Sequence, residues 1–267
     1  MYSTDRVTRE SWAHRTYAEI LETGSEPGSV AVVPVGSTEQ HGHHLPVGTD
    51  TLLVESVATA AVGRAREEGV PVLVAPPVWT GVSRHHLPFG GTLSLSGTRL
   101  IEVLTDIGRT ALESEFDAVL FLNGHGGNVP FVESTVVVLG DDMPDAEILG
   151  VTYFDLAASA AEAVRDSDPG GMGHGGEFET SLMLHLFPEL VDEDQLDGTP
   201  LTSAYERAGD DMFHGGPLSV YRRFDAYSSS GAIGDPAAAT AEKGKQLFEA
   251  VREETAAVLA AIHEETR

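Results

Sequence analysis

Short β-branched apolar runs alternate with longer stretches of helical spacing, and this alternation limits the folds open to the chain more than any other feature. Residues 29–35 (SVAVVPV), 70–75, 118–122 and 147–153 read as strands, the first of them buried. Residues 51–69, 95–115, 156–165, 177–187 and 237–264 carry the helical pattern. Gly69 closes the first helix, Pro76 and Pro77 stop the second strand, and Ser96 is the expected N-cap of the helix that follows, its hydroxyl accepting from a free first-turn amide. Strand–helix alternation of this kind builds βαβ units, so the expected fold is α/β with a mostly parallel central sheet. No repeat, low-complexity linker or shift in composition divides the chain, and one domain over 1–267 is expected. Residues 192–235 lack periodicity and are rich in Gly, Ser and Asp. So long an irregular stretch in a compact fold reads as a functional loop or an oligomer contact.

Composition narrows the partners. The 267 residues include no cysteine, which removes disulfides, thiolate metal sites and a catalytic thiol, and leaves nitrogen and oxygen as the available metal donors. With 42 Asp and Glu against 16 Lys and Arg, the formal charge is -26. Such a surface repels phosphate backbones and anionic lipid, so neither nucleic acid nor a membrane is an expected partner. Only Lys243 and Lys245 are lysines, and the diffuse acidity matches proteins of a salty cytoplasm, which points to a halophilic, cytoplasmic protein. The opening MYSTDRVTRESW has no basic-then-apolar leader pattern, and no apolar run reaches the roughly 18 residues of a membrane span.

In parallel α/β sheets ligands bind beyond the carboxyl ends of the strands, and three such places carry the chemistry. After the first strand, Glu39 and His41 lie two apart, so an extended segment puts them on one face, and a Gly- and Pro-bearing loop can fold Asp50 back to them. Carboxylate, imidazole and carboxylate suit a divalent ion such as Zn, Mn or Fe. The strand at 118–122 runs into N-G-H-G-G-N, presenting His125 between glycines whose backbone can approach a ligand or aim N–H groups at an oxyanion. The third place, H-G-G-E-F-E-T-S, leads into a helix with Glu177 and Glu179 in its first turn, where the helix dipole favours ionised carboxylates. His174 at its mouth is a candidate proton shuttle. If the three clusters converge, one carboxylate can bridge two ions about 3.5–4 Å apart, and the chemistry is hydrolysis. The competing reading is a metal-binding assembly protein whose ions only brace loops.

These segments, PVGSTEQHGHHLPVGTDT (34–51), HLPFGGTLSLS (86–96), FLNGHGGN (121–128), HGGEFETSLML (174–184) and SGAIGDPAAATAEKG (230–244), resemble the creatininase (creatinine amidohydrolase) family in the same order along the chain. The resemblance implies a three-layer α/β sandwich, two divalent ions and a homo-oligomer, commonly a hexamer. Carried over by position, Glu39 and His125 bind one ion, His41 the other, and Asp50 bridges them. His174 and Glu179 become the catalytic pair, with Glu179 orienting His174. His86, Thr92, Gly126 and Gly127 become substrate-binding positions. Creatininase reads N-G-H-Y-E-N where this chain has Gly127, so a glutamate ligand is missing there, and Glu177 is the expected replacement, with Glu179 as the alternative. Creatinine cleavage is also associated with tryptophans around the substrate, yet none follows Trp79. The G-H-G-G-N subset includes deformylases of a formylamino-pyrimidine ribotide in archaeal flavin and deazaflavin synthesis and a peptidase that trims a redox-cofactor precursor. The implied activity is therefore metal-dependent hydrolysis of a small-molecule non-peptide amide, with the ribotide formamide as leading substrate and creatinine as the alternative. Arg84 and the Arg222–Arg223 pair are the cations available to a phosphate.

Overall fold

The computed structural model describes residues 9–202 and 204–267; the first eight residues, part of the segment read as lacking a leader, lie outside the described residues, as does Ser203 within the irregular stretch. Strands β1 (Val30–Val35), β2 (Val72–Val74), β3 (Ala118–Asn123) and β4 (Glu147–Thr152) form a sheet in the order β2-β1-β3-β4, parallel throughout. Strand residues alternate between faces, and both faces are covered. Val30, Val32, Val72, Leu120 and Leu122 meet α2 (Thr49–Glu67), α7 (Glu177–Leu186) and α8 (Ala241–Thr266) through Leu53, Val57, Phe178, Leu182, Leu247 and Val251. On the other face Ala31, Val33, Val119 and Phe121 meet α1 (Tyr17–Gly24), α3 (Gly97–Leu112) and α4 (Val129–Asp142) through Ile20, Leu100, Leu104, Val132 and Leu139. Each such aliphatic side chain contributes about 1.5–3 kcal/mol on full burial, which locks helix, sheet and helix into the expected three layers.

Most expected elements stand within a few residues of their predicted ends. The helix expected over 156–165 is α6 (Ala158–Val164), and a short helix α5 (Tyr153–Leu156) precedes it, burying Tyr153 and Phe154 against the core. Ser96 precedes α3 but its hydroxyl makes no cap bond, whereas Thr16 and Thr240 do cap α1 and α8. Helix α4 has no counterpart among the predicted elements: VPFVESTVVVLGDD is rich in β-branched residues that favour strands, and packing of Val132 and Leu139 on the sheet overrides that preference. Among the described residues no helix is long and apolar enough to cross a membrane.

The order β2-β1-β3-β4 places the functional loops. Chain order reverses direction at β1, which pairs with β2 on one side and β3 on the other, and Val35 stands in register with Asn123. The loops leaving β1 and β3 therefore emerge side by side at the crevice where parallel sheets bind ligands.

Candidate metal centre

The loop after β1 is closed by its own backbone. Glu39 N–H donates to the Val47 carbonyl at 2.8 Å, and the Thr51 hydroxyl donates to the Ser37 carbonyl at 3.1 Å, which draws the first turn of α2, with Asp50, under Glu39 and His41. The Asn128 amide ties this loop to its neighbours, donating to the Gly36 carbonyl at 3.0 Å and accepting from Val82 N–H at 2.9 Å. Asn123 shapes the β3 exit by accepting from His125 N–H at 3.2 Å and donating to the His125 carbonyl at 2.8 Å. Gly127 is required here, since a Cβ would strike the His125 ring and the Val82 carbonyl. In the third segment Gly175 adopts a left-handed φ of 63°, which lets the chain turn sharply from His174 into α7.

These loops bring six predicted residues together. His125 stands between Glu39 and Asp50, with Nε2 3.2 Å from Glu39 Oε2 and Nδ1 3.3 Å from Asp50 Oδ2. His41 Nε2 lies 3.0 Å from Asp50 Oδ1 and 3.8 Å from Glu179 Oε1. His174 Nδ1 lies 3.5 Å from Glu39 Oε1. Ligand atoms of Glu39, Asp50 and His125 all fall within 4.8 Å of one another, as do those of His41, Asp50 and Glu179, and of Glu39, His41 and His174. Asp50 belongs to the first two groups.

The charge state of this cluster depends on cations it can hold. Burial opposes ionisation of Glu39, yet His125 and His86 outweigh it and keep its carboxyl well below the usual range. Burial likewise pulls His41 and His125 down, but Asp50 and Glu179 hold the first, and Glu39 and Asp50 the second, well above the ordinary histidine value. Burial, with His41 and His86 beside it, presses His174 well below that value. His41 Nδ1 lies 3.0 Å from the Glu39 carbonyl, an acceptor that fixes the proton on that nitrogen. In the neutral ring, Nε2 then turns a lone pair towards two carboxylates, an arrangement of acceptors alone unless a cation sits among them. Glu39 Oε1 and Asp50 Oδ2 are buried without a hydrogen-bond partner, which is costly for a carboxylate and fits metal ligation. With no thiolate in the chain, the imidazole and carboxylate donors suit Zn, Mn or Fe.

A layer of hydrogen bonds orients the ligand side chains. The Ser37 hydroxyl donates to Glu39 Oε2 at 3.0 Å. Gln40, absent from the predicted site, has its Oε1 fixed by Gly42 N–H at 2.9 Å, and its Nε2 reaches the Gly231 carbonyl at 3.0 Å and His86 Nδ1 at 2.8 Å. His86 Nε2 lies 3.1 Å from Glu39 Oε1 but makes no hydrogen bond to it. The Gln40 carbonyl takes the Nε2 proton of His174 at 2.6 Å. Sequence position next to Glu39 was the one signal for Gln40, because its role depends on residues 46 to 191 positions away.

Three predicted assignments need correction. Glu177 does not reach the cluster: its carboxylate accepts from Asp166 N–H at 2.9 Å, Ser167 N–H at 3.0 Å and the Ser167 hydroxyl, and it pairs with Lys243. Helical geometry explains this, since residues two apart in a helix point about 200° apart and only one of the two can face the crevice. Glu179 faces it, but it does not orient His174; its Oε2 accepts from Gly175 N–H at 2.6 Å while Oε1 faces His41. Thr92 accepts from Gln40 N–H at 3.3 Å and is not on the cavity wall, so it supports the loop.

A cavity of about 320 Å³ opens over the cluster, with Asp50, His86, His125, His174, Glu179, Gly126 and Gly127 at its base. Its outer wall comes from the irregular stretch, including Tyr205, Met212, Val220, Arg222, Phe224 and Tyr227. Phe224 lies 4.2 Å from His86 and 5.2 Å from His174 between ring centres. His85 also lines the cavity, its pKa brought down to about 4 by burial and by His86. Of the cations considered for a phosphate, Arg222 alone reaches the wall. Arg223 pairs with Asp225 at 2.7 Å.

The family model described as creatinine amidohydrolase matches residues 13–259. The chain belongs to the creatininase family. The mycofactocin precursor peptide peptidase of Mycobacterium tuberculosis is 34% identical over 256 residues, covering 89% of this chain and 90% of that one. The creatinine amidohydrolase of Pseudomonas putida is 34% identical over 190 residues, covering 65% and 70%. Among solved structures, a manganese creatininase superposes with a TM-score of 0.82 at 26% identity, covering 97% of this chain and 99% of that one. A substituted creatininase of Zn–Zn type superposes at 0.81. This creatininase-family chain is thus a hydrolase of C–N bonds, and its buried imidazole and carboxylate groups stand where they can hold a metal ion.

Proposed function

We propose that the chain is a two-ion amide hydrolase acting on a short peptidic substrate whose side chains are apolar or aromatic. One observation carries the reading: the buried Asp50 carboxylate faces His41 at 3.0 Å through one oxygen and His125 at 3.3 Å through the other. Glu39, Asp50 and His125 would hold one ion, and His41, Asp50 and Glu179 the second. A pair of divalent ions held by these residues would supply acidification of a water and polarisation of an amide carbonyl. The chain itself supplies the rest. His174, with Nε2–H fixed on the Gln40 carbonyl and Nδ1 open towards the cluster, relays a proton to the leaving nitrogen. Gly126 and Gly127 leave the amide room beside His125.

Substrate class follows from the wall. Leu201, Met212, Val220 and Phe224 present apolar surface suited to aliphatic or aromatic side chains, and relatives matched over most of their length are named as peptidases of a precursor peptide. A formylamino-pyrimidine ribotide is the second reading, supported by Arg222 on the wall, though a phosphate dianion there would meet one arginine above several carboxylates. Creatinine receives no support from the wall, which carries no tryptophan. Hydrolysis of an acyl dipeptide, a formamide ribotide and creatinine, with chelator and with Mn or Zn restored, tests the proposal. Chelator-sensitive release of free amine from the dipeptide is expected. Formate from the ribotide, or creatine from creatinine, at a higher kcat/KM than the dipeptide would overturn the peptidic assignment.

A further inference from the structure

Alternate residues from Val220 to Phe224 face the cavity in a stretch that joins no sheet and ends in the 3-10 turn Phe224–Ala226. Val220, Arg222 and Phe224 line the cavity, while Tyr221 is 73% exposed and Arg223 pairs with Asp225 on the outside. Arg222 is the one arginine or lysine among the described residues on the cavity wall. Its guanidinium lies over two aromatic rings, 5.7 Å from the centre of Tyr205 and 5.7 Å from that of Tyr227. Both tyrosines also line the cavity.

Arg222 forms no ion pair among the described residues, in contrast to Arg165 and Arg223. Arg165 is taken by Asp211 at 2.8 Å and by Glu162 at 3.0 Å, and Arg223 by Asp225. Asp211, the carboxylate on the same wall, is fully engaged by Arg165 and by the N–H groups of Gly170, Phe213 and His214. In a chain of net charge -26, an arginine that faces a cavity with no carboxylate partner keeps its charge available to an anion entering that cavity. Aromatic faces hold a guanidinium by cation–π attraction without using its N–H donors, so the planar fork stays available to a carboxylate, which it can bind through two parallel hydrogen bonds.

We propose that Arg222 is a carboxylate subsite: the substrate carries a free carboxylate next to the amide that is cleaved, and Arg222 selects for it. The proposal rests on the peptidic reading above and refines it to amides near a free carboxyl terminus. Val220 and Phe224, flanking the guanidinium, fit an apolar or aromatic side chain on the same residue. Phe224, packed on His86 and His174, links this subsite to the ion cluster.

The test compares the metal-loaded full chain with Arg222→Met and Arg222→Lys, folding being checked by thermal unfolding. Turnover is measured on N-acetyl-leucyl-phenylalanine and its carboxamide, and binding on N-acetyl-phenylalanine, its carboxamide and phenyl phosphate. In the wild type the free acid is expected to exceed the carboxamide by about tenfold or more in kcat/KM and in affinity. Methionine should bring both ratios close to one, and lysine should restore part of them. Absence of a free-acid preference in the wild type, or its survival in Arg222→Met, would overturn the proposal. Tighter binding of phenyl phosphate than of the carboxylate, lost with methionine, would overturn the carboxylate assignment in favour of a phosphorylated substrate. An Arg222-dependent preference in binding with neither peptide turned over would leave the subsite standing and remove the peptidic hydrolysis.

Discussion

Exchanging Glu177 and Glu179 for glutamine, one at a time, separates two carboxylates that the chain places two residues apart. Glu177→Gln puts an amide where four donors converge, among them the Lys243 ammonium and the Ser167 hydroxyl. A charge-assisted hydrogen bond contributes about 1.5–3 kcal/mol, and breaking a buried pair costs about 3–5 kcal/mol. Lys243 keeps Asp166 at 2.7 Å and the Ala238 carbonyl at 2.7 Å, so the loss belongs at the low end, about 3 kcal/mol. For a domain of this size about 2–4 °C accompanies each kcal/mol, giving a Tm lower by about 6–12 °C. Metal content should be unchanged. Burial raises the Glu177 pKa, but the bonds from Lys243, Ser167 and Asp166 outweigh it and hold it below the ordinary value. A lowered folded pKa contributes stability that is complete above the unfolded value of about 4.3 and disappears as pH falls through the folded one. The Tm gap between wild type and Glu177→Gln should therefore narrow below about pH 4. Glu179→Gln, by contrast, should lose one ion in metal analysis and most turnover. An ion lost from Glu177→Gln at unchanged Tm, or both ions kept by Glu179→Gln, would refute this assignment.

Asp50→Asn should lose both ions and all activity, because its two oxygens face the two ligand groups; a fully metallated, active variant would remove its shared role. Gly127→Ala forces a Cβ onto the His125 ring, and overpacking of about 1–3 kcal/mol should appear as a lower Tm together with weaker metal binding in a titration. With a net charge of -26, Tm should climb between 0.1 and 1 M KCl as the Debye length falls from about 10 Å to about 3 Å; a flat profile would mean that the acidic surface is not self-repelling.

Local pattern made the strands legible. β1 and β3 are runs whose six residues are all buried, so burial on both faces is written into composition alone. Helix α4 was not legible, since valine-rich stretches favour strand locally and only the exposed flank of a sheet made this one a helix. Of the site, Glu39, His41 and His125 stand out because ligand-type residues follow strand ends, and Asp50 and His174 because they stand at helix entries. Arg222 was visible only as one member of an arginine pair; which of the two faces inwards depends on how the wall segment lies over the cavity.

What the order of amino acids settles by itself is the donor chemistry and the layered plan: no thiolates, carboxylates and imidazoles at strand exits, glycines where backbone must turn. The choice between Glu177 and Glu179, and Gln40's grip on His86 and His174, belong to tertiary structure. They depend on which groups from distant segments occupy each carboxylate, and Lys243, 66 residues from Glu177, claims one and leaves the other facing His41.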